Sequence, residues 1–346
     1  MSSSSVPAIS VLIVNWNGIT HLEECLGSLG RQTCTDHEVV LVDNGSRDGS
    51  AEYVRTAFPG VILVESPRNL GFAGGNNLGL SHARGRWIFT LNNDTVVDPN
   101  CLARLLAMAE SAPQIGMVAC RVLSYHDRSR IDSRGVNICR DGMSRAAERC
   151  QSTGDRPQDD GREILLPSGC AALYRRTALT ETGFFDEDFF AYCEDTDLGL
   201  RLCWAGWDGV LADSAMVYHK YSQTGGQLSP LKIRLVERNH YWVAVKNFPL
   251  SWLLLVPLHS LRRHLVQAWA LLAGHGLGGE LRARTPLLAC AWALVRAGME
   301  ALAGLPRMLA RRRRLVRRRT TAEMSAVMSR HTMGFRELLD MDGGCA

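Results

Sequence analysis

Along residues 8–115 the chain repeats one pattern, a short unbroken apolar run followed by an amphipathic stretch. The runs Ile9 to Val14 (ISVLIV), Glu38 to Val42 (EVVLV), Val61 to Glu65 (VILVE) and Trp87 to Leu91 (WIFTL) lack polar-apolar alternation, so each predicts a strand buried on both faces of a parallel sheet. Ile19 to Leu29 predicts a helix with Leu22, Cys25, Leu26 and Leu29 on one face. Further helices are expected over Ser50 to Phe58, Leu78 to Ala83 and Pro99 to Glu110. The order is βαβαβ, a doubly wound α/β arrangement in which ligands bind beyond the carboxyl ends of the strands.

From Gln114 the pattern changes. A strand over Gly116 to Val122 leads into Tyr125 to Arg162, a polar stretch rich in Gly, Asp and Arg that reads as a mobile, hairpin-bearing insertion. Leu165 to Tyr174 (LLPSGCAALY) carries small residues that permit close backbone approach, and a short helix to Thr182 follows. Gly209 to Leu211 and Met216 to Tyr218 predict two short strands ending at His219, and Tyr221 to Pro230 reads as a flexible flap.

Between these lies Phe184 to Trp207, where the acids Glu194, Asp195 and Asp197 sit between aromatic residues and a helical pattern of Leu198, Leu200, Leu202 and Trp204. Carboxylates placed so, at a helix N-terminus, suit a buried base that takes a proton from a hydroxyl. The bland alternative is a helix cap, with Asp195 capping and Asp197 in the first turn.

Polar residues at the strand ends are the remaining candidates: Asn15, Trp16, Asn17 and Gly18; Asp43 to Ser50; and Asn92, Asn93, Asp94 and Thr95. An acid at the end of an apolar strand is placed to hold a divalent cation against a diphosphate. The glycine-rich stretch Pro67 to Asn77, opening a helix, can bring N–H groups to a phosphate, although it is neither GxGxxG nor a P-loop.

Composition divides the chain. Of 346 residues 21% are charged and 46% apolar, with a net charge of +4. Arg262 to Arg319 holds thirteen arginines against two acids, so an acidic body carries a basic tail. Eleven scattered cysteines without a CxxC pair favour reduced thiols over a disulfide framework or a zinc site. The N-terminus has no secretory pattern, and Ser2 to Ser5 read as a disordered lead.

Taken together, VLIVNWNG (Val11 to Gly18), VDNGSRDGS (Val42 to Ser50), NLGFAGGNN (Asn69 to Asn77), LNNDT (Leu91 to Thr95), SGCAALYRR (Ser168 to Arg176), FDEDFFAYCEDTDLGLR (Phe185 to Arg201) and His219 resemble the family 2 glycosyltransferases, bacterial rhamnosyltransferase-like members in particular. The resemblance implies a GT-A fold: an α/β, Rossmann-like nucleotide-binding domain with a mixed sheet, here followed by a C-terminal amphipathic helical region. It divides the chain into a catalytic domain at 8–247, with a nucleotide-sugar half (8–115) and an acceptor half (116–247), a helical arginine-rich region (248–320) and a tail (321–346).

By the same resemblance Asp43 would contact the base or ribose of the donor, with Asn15, Asn17 and Asn93 in that pocket and Asn69, Gly71 and Asn76 against the nucleotide sugar. Asp94 closes a DXD-like motif whose first position is Asn92, one carboxylate fewer, and would bind Mg²⁺ or Mn²⁺ with His219. Asp195 would be the catalytic base of an inverting transfer; Glu194 would orient it or grip the acceptor, beside Gly169, and Asp197 would cap the helix. The implied partners are a dTDP-, UDP- or GDP-sugar, rhamnose among the candidate sugars, and a glycan or polyprenyl-linked acceptor. Oligomerisation stays open.

Pro249 to Leu258 is too short to span a bilayer, and Pro286 to Pro306 is interrupted by Arg296 and Glu300, which fits an amphipathic helix. The polybasic run Arg307 to Arg319 matches an anionic membrane surface, which predicts peripheral attachment to the cytoplasmic face of the inner membrane. Packing of these helices on the catalytic body is the competing expectation. Nucleic acid is disfavoured, since no recognition fold accompanies the basic run. A sugar-1-phosphate nucleotidyltransferase would need a basic glycine-rich N-terminal signature that Asn15 to Gly18 lacks, and an inactive binding protein would not need Asp94, Asp195 and His219.

Overall fold

A computed structural model describes residues 6–155, 158–220, 229–273 and 287–334. The lead Ser2 to Ser5, nearly all of the expected flap and residues 335–346 of the tail lie outside the described residues. The first half runs β1 (Ile9–Asn15), α1 (Ile19–Gly30), β2 (His37–Asp43), α2 (Ser50–Ala57), β3 (Ile62–Glu65), α3 (Gly71–His82), β4 (Trp87–Asn92), β5 (Thr95–Val97), α4 (Cys101–Glu110) and β6 (Ile115–Ser124). Then come β7 (Ile131–Ser133), β8 (Val136–Ile138), β9 (Ser144–Ala146), β10 (Glu163–Ile164), β11 (Ala171–Arg175), α5 (Arg176–Thr182), α6 (Glu194–Trp204) and β12 (Asp208–His219). The chain closes with α7 (Pro230–Asn247), α8 (Leu250–Leu253), α9 (Val256–Ala273), α10 (Leu287–Arg312) and α11 (Thr321–Arg330).

The main sheet has the order β10-β12-β6-β11-β4-β1-β2-β3. β3, β2, β1 and β4 are parallel to one another, and β11 is inserted antiparallel between β4 and β6, so the sheet is mixed. The apolar runs of β4, β1 and β2 form its centre because successive side chains point to opposite faces and both faces are covered; β3, expected to be buried on both faces, is instead the half-buried edge strand. Val11 and Ile13 join the core under α1, α2 and α4, whereas Leu12 joins the core shared with α3, α6 and α7.

Four other expectations change. Gly71 to Asn77 forms the first turns of α3 rather than a loop before it; without Cβ atoms, Gly75 and Gly79 let the helix press on Val14, Leu12 and Val42. The two short strands before His219 are one strand, β12, with register breaks against β6 after Asp208 and after Ala212. The Tyr125 to Arg162 insertion does contain a hairpin, β8–β9, but it is not a loose polar stretch. Ile131, Val136, Ile138 and Cys139 are buried, and the buried Arg134 is ion-paired to Asp213 and Glu148. Lastly, Cys150 is disulfide-bonded, against the expected set of thiols; nine other described cysteines are thiols.

The C-terminal arginines largely serve the body. Arg311 pairs with Asp186 and Asp188, Arg307 with Asp188 (3.1 Å), Arg318 with Glu181 (2.5 Å) and Arg319 with Asp208. Arg312 donates to the carbonyl of Val245 at 2.9 Å. Trp242 Nε1 donates to the Ala301 carbonyl (3.1 Å), and Gly304 seats α10 against the indole.

Candidate active site

The carboxyl ends of β2, β1 and β4 lie side by side because β1 pairs in parallel with both neighbours. Asn15 stands at the centre of this edge. Its Nδ2 donates to Ser46 Oγ (3.3 Å) and to Asp43 Oδ1 (3.5 Å), and its Oδ1 accepts from Asn93 Nδ2 (2.7 Å). A Cβ on Gly18 would collide with Asn93 Nδ2 and sit 2.6 Å from Asn15 Oδ1, so the glycine lets the two amides meet. Asn17, at φ 51, accepts from Arg47 N–H (2.8 Å) and donates its own N–H to Ser46 Oγ (3.0 Å). Asp43 accepts from Ser46 N–H at 3.1 Å. Four expected donor-site residues therefore converge on one polar edge, with the half-exposed Trp16 beside them.

Asn69, Gly71 and Asn76 sit differently. Asn69 Oδ1 accepts from Gly71 N–H (2.8 Å) and from Asn44 Nδ2 (3.1 Å), forming the turn that starts α3. Gly71 has φ +74, and a Cβ there would strike the carbonyl of Phe190. Asn76 Nδ2 donates to the carbonyl of Phe72 within the helix (2.9 Å). Their polar groups hold α3 and the 190 loop in place.

Asp94 follows β4, and His219 ends β12, which pairs with β5 at Thr95. His219 Nε2 lies 3.3 Å from Asp94 Oδ1, and His219 Nδ1 lies 2.7 Å from Asp132 Oδ2. Burial opposes charge on His219, but Cys170, Asp132 and Asp94 around it outweigh burial and raise its pKa well above the usual histidine value. Burial alone would raise Asp94; His219 holds it below the ordinary aspartate value.

This pair fits a divalent cation. Ligands at about 2.1 Å on neighbouring octahedral positions stand about 3 Å apart, close to the observed separation. Asp132 engages Nδ1, so a cation that replaced the proton on Nε2 would be bound through that nitrogen, the usual arrangement behind a metal-bound histidine. Among the described residues no three His, Cys, Asp or Glu side chains form a metal-binding group, so a cation here would complete its shell with water and substrate oxygens.

The acidic stretch forms the second cluster. α6 begins at Glu194, after Cys193 in left-handed conformation, so Asp195 is not its cap. Asp195 Oδ2 accepts from Gly169 N–H (2.9 Å), and Oδ1 accepts from Thr196 N–H (2.7 Å) and Oγ1 (3.2 Å). Burial raises the Asp195 pKa against these hydrogen bonds, which makes it a stronger proton acceptor than a free aspartate. Glu194 is buried with Oε2 unpartnered; burial and then the charge of Asp195 raise its pKa well above the usual value. Asp197 is not a cap either. It ties α6 to α7 through Lys246 Nζ (2.8 Å) and Asn247 Nδ2 (2.8 Å), and within α6 it pairs with Arg201 Nε (2.8 Å).

One short segment joins the clusters. Gly169 N–H holds Asp195, while the side chain of the next residue, Cys170, meets His219. The loop into α6 is strained: Phe190, Tyr192 and Cys193 all have positive φ. Asn239 on α7 stabilises it, its Nδ2 donating to the carbonyls of Phe189 (3.0 Å), Ala191 (2.9 Å) and Tyr192 (2.7 Å). Sequence reasoning missed Asp132, Cys170 and Asn239, whose partners lie far away along the chain.

A mixed, doubly wound sheet with a polar edge at the carboxyl ends of its parallel strands and an acid pair opposite is the architecture of a GT-A glycosyltransferase. The sequence profile of Glycosyl transferase family 2 matches residues 10–183. The chain belongs to that family and is a glycosyltransferase. It is 29% identical over 287 residues to an N-acetylglucosaminyl-diphospho-decaprenol L-rhamnosyltransferase of Mycobacterium tuberculosis (strain ATCC 25618 / H37Rv), covering 75% of this chain and 92% of the relative. The fold matches the crystal structure of GalNAc-T7 with UDP, GalNAc and Mn²⁺ with a TM-score of 0.58 at 17% identity, over 72% of this chain and 49% of that one. It also matches the mannosyltransferase PcManGT of Pyrobaculum calidifontis in complex with GDP-Man and Mn²⁺ with a TM-score of 0.50 at 18% identity, over 95% of this chain and 88% of that one. Asp195 and His219 lie beyond the residues the family profile matches, so their roles rest on geometry.

Proposed function

We propose that this chain is an inverting, cation-assisted glycosyltransferase that moves a single sugar from a nucleotide-sugar donor to a lipid-linked or cell-surface glycan acceptor. The observation that carries the reading is the Gly169–Cys170 junction, where the Gly169 N–H binds Asp195 and the side chain of the next residue, Cys170, meets His219, the partner of Asp94. Donor nucleotide is assigned to the edge formed by Asn15, Asn17, Asp43 and Asn93, with Asn69, Gly71 and Asn76 shaping the wall behind it. Mg²⁺ or Mn²⁺ held by Asp94 and His219 would supply positive charge against the departing diphosphate.

Asp195 Oδ2 accepts one N–H and keeps a lone pair for the proton of the acceptor hydroxyl. As that proton moves to Asp195, the hydroxyl oxygen bonds to the anomeric carbon and the carbon–oxygen bond to the diphosphate breaks, which inverts the centre. Glu194, buried with one free oxygen, is assigned to the acceptor side with Gly169. The activity of the mycobacterial relative, an N-acetylglucosaminyl-diphospho-decaprenol L-rhamnosyltransferase, supports rhamnose as the sugar and a polyprenyl-diphosphate-linked acceptor. An acceptor of that kind supports peripheral attachment at the cytoplasmic face of the inner membrane through residues 248–320.

The test is a thermal-shift panel of dTDP, UDP, GDP and CDP, each with and without Mn²⁺, on wild type and Asp94→Ala. A ligand at a hundredfold its Kd stabilises by about 2.7 kcal/mol. The expected result is Mn²⁺-dependent stabilisation by one nucleotide that Asp94→Ala loses; no response to any nucleotide would overturn the donor site.

A further inference from the structure

Two helices at the C-terminal end carry their polarity the wrong way round for a surface in water. On α9, Leu258, Leu261, Leu265 and Trp269 repeat at helical spacing and are 58–64% exposed, while Arg263 on the opposite side is buried. Arg263 is fixed there by Asp141 (2.5 Å) and Glu237 (2.7 and 2.9 Å). On α10, Leu288, Trp292, Val295, Met299 and Leu302 form a second stripe, 51–87% exposed. Its inward face is small: Ala293 and Ala297 are buried, and Gly304 meets Trp242. Both helices thus turn large apolar side chains outward, which marks a surface built to be covered by something apolar.

Charge identifies the cover. Arg262, Arg313, Arg314 and Arg317 are exposed and have no carboxylate partner among the described residues. α9 contains no acid, and the single acid of α10, Glu300, is bound to Arg234, Arg238 and Arg296. Leucine and tryptophan with an arginine rim match the interface of an anionic phospholipid leaflet. A second copy of this chain matches poorly, since an isologous contact through these two helices would bring no free carboxylate to answer the arginines.

α10 is long and apolar enough by composition to cross a bilayer, over Leu288–Arg312. It is fastened along its C-terminal half to the body at Ala301, Arg307, Arg311 and Arg312, which a helix crossing a bilayer could not keep.

We propose that the outward stripes of α9 and α10 lie in the plane of an anionic leaflet and anchor the enzyme there, with the flanking arginines as an electrostatic rim and not the anchor itself. This rests on the peripheral-membrane reading above and assigns it to named side chains. α7 links that surface to the catalytic loop, because α10 packs along α7 and Asn239 of α7 holds residues 189–192.

The experiment is co-sedimentation of the full chain with phosphatidylglycerol-containing vesicles and with phosphatidylcholine vesicles, alongside sedimentation velocity without lipid. Trp269→Ser/Trp292→Ser and Leu261→Gln/Leu302→Gln are compared with Arg313→Gln/Arg314→Gln, and nucleotide-induced thermal shift confirms that each variant is folded. Wild type should bind the anionic vesicles, each apolar pair should lower partitioning at least about tenfold, and the arginine pair should weaken binding less and reduce its salt dependence. Undiminished binding by the apolar variants, with loss in the arginine variant, overturns the stripe as anchor and leaves peripheral attachment standing. No vesicle binding by wild type overturns both, as does a wild-type dimer that the apolar variants dissociate.

Discussion

His219 Nδ1 lies 2.7 Å from Oδ2 of Asp132, a residue 87 positions earlier in the chain. The contact fixes which ring nitrogen faces Asp94, so Asp132 would act through His219 on the cation site proposed at that pair. Asp132→Asn should weaken Mn²⁺-dependent nucleotide binding about 10- to 100-fold. Calorimetric titration with and without Mn²⁺ checks this. Equal losses in both conditions would mean that Asp132 only supports the fold of the insertion.

Asp195→Asn preserves the shape of the side chain and removes the proton acceptor. Turnover should fall by about 10²- to 10⁴-fold, with nucleotide-induced stabilisation retained. Parallel loss of nucleotide binding would place Asp195 in the donor site and sink the assignment as base.

The legible and illegible parts of this structure separate by the distance over which their causes act. β1, β2 and β4 were readable because burial on both faces leaves an apolar run in each strand itself, and β3 was readable as a strand by the same kind of run although it is the half-buried edge. α3 was misread at its start because Gly74 and Gly75 resemble a loop until Val14 and Leu70 are seen against them. The Asp94, His219 and Asp195 positions were visible as acids and a histidine at element ends. Asp197 was misassigned because its principal partner, Lys246, lies 49 residues away. The arginine tail was visible as composition, but Asp186, Asp188, Glu181 and Asp208, which absorb much of its charge, belong to other elements.

Gly18→Ala tests the donor edge without altering any polar group. The added methyl would occupy the space where Asn15 and Asn93 meet. The cost to stability should be about 1–3 kcal/mol from overpacking, and nucleotide-induced stabilisation should be largely lost. A variant that melts lower yet responds normally to nucleotide would show that the Asn15–Asn93 pair is only structural.

Asn239→Ala removes the amide that serves three carbonyls of the strained 189–192 segment. Leaving a buried acceptor unsatisfied costs about 1–3 kcal/mol. Because the loop leads directly into Glu194 and Asp195, KM for acceptor should rise while donor-nucleotide affinity stays unchanged. Steady-state kinetics with each substrate varied in turn, together with urea unfolding, separate the two effects; a change in donor affinity alone would contradict the placement.

Acid should loosen the attachment of α7 to its neighbours on both sides. Burial by itself would raise Asp197 and Glu237, but Lys246 and Arg201 hold Asp197 down to about 2, and Arg263 holds Glu237 down to about 2. Carboxylates depressed in the folded state contribute stability that is complete above their unfolded values, near 4, and is lost as pH falls toward 2. Glu194 runs the other way: its pKa is raised, so its penalty is relieved as pH falls to about 4.5 and adds nothing below that. Between about pH 4.5 and 2 the depressed acids therefore set the slope, Glu237 supplying on the order of 3 kcal/mol. Urea unfolding across that range should show steadily falling stability in wild type. Glu237→Gln should start lower at neutral pH, because Arg263 keeps only Asp141 as an ionic partner, and fall less steeply in acid. A variant with the same acid slope as wild type would show that the Arg263 pair does not govern how α9 is held.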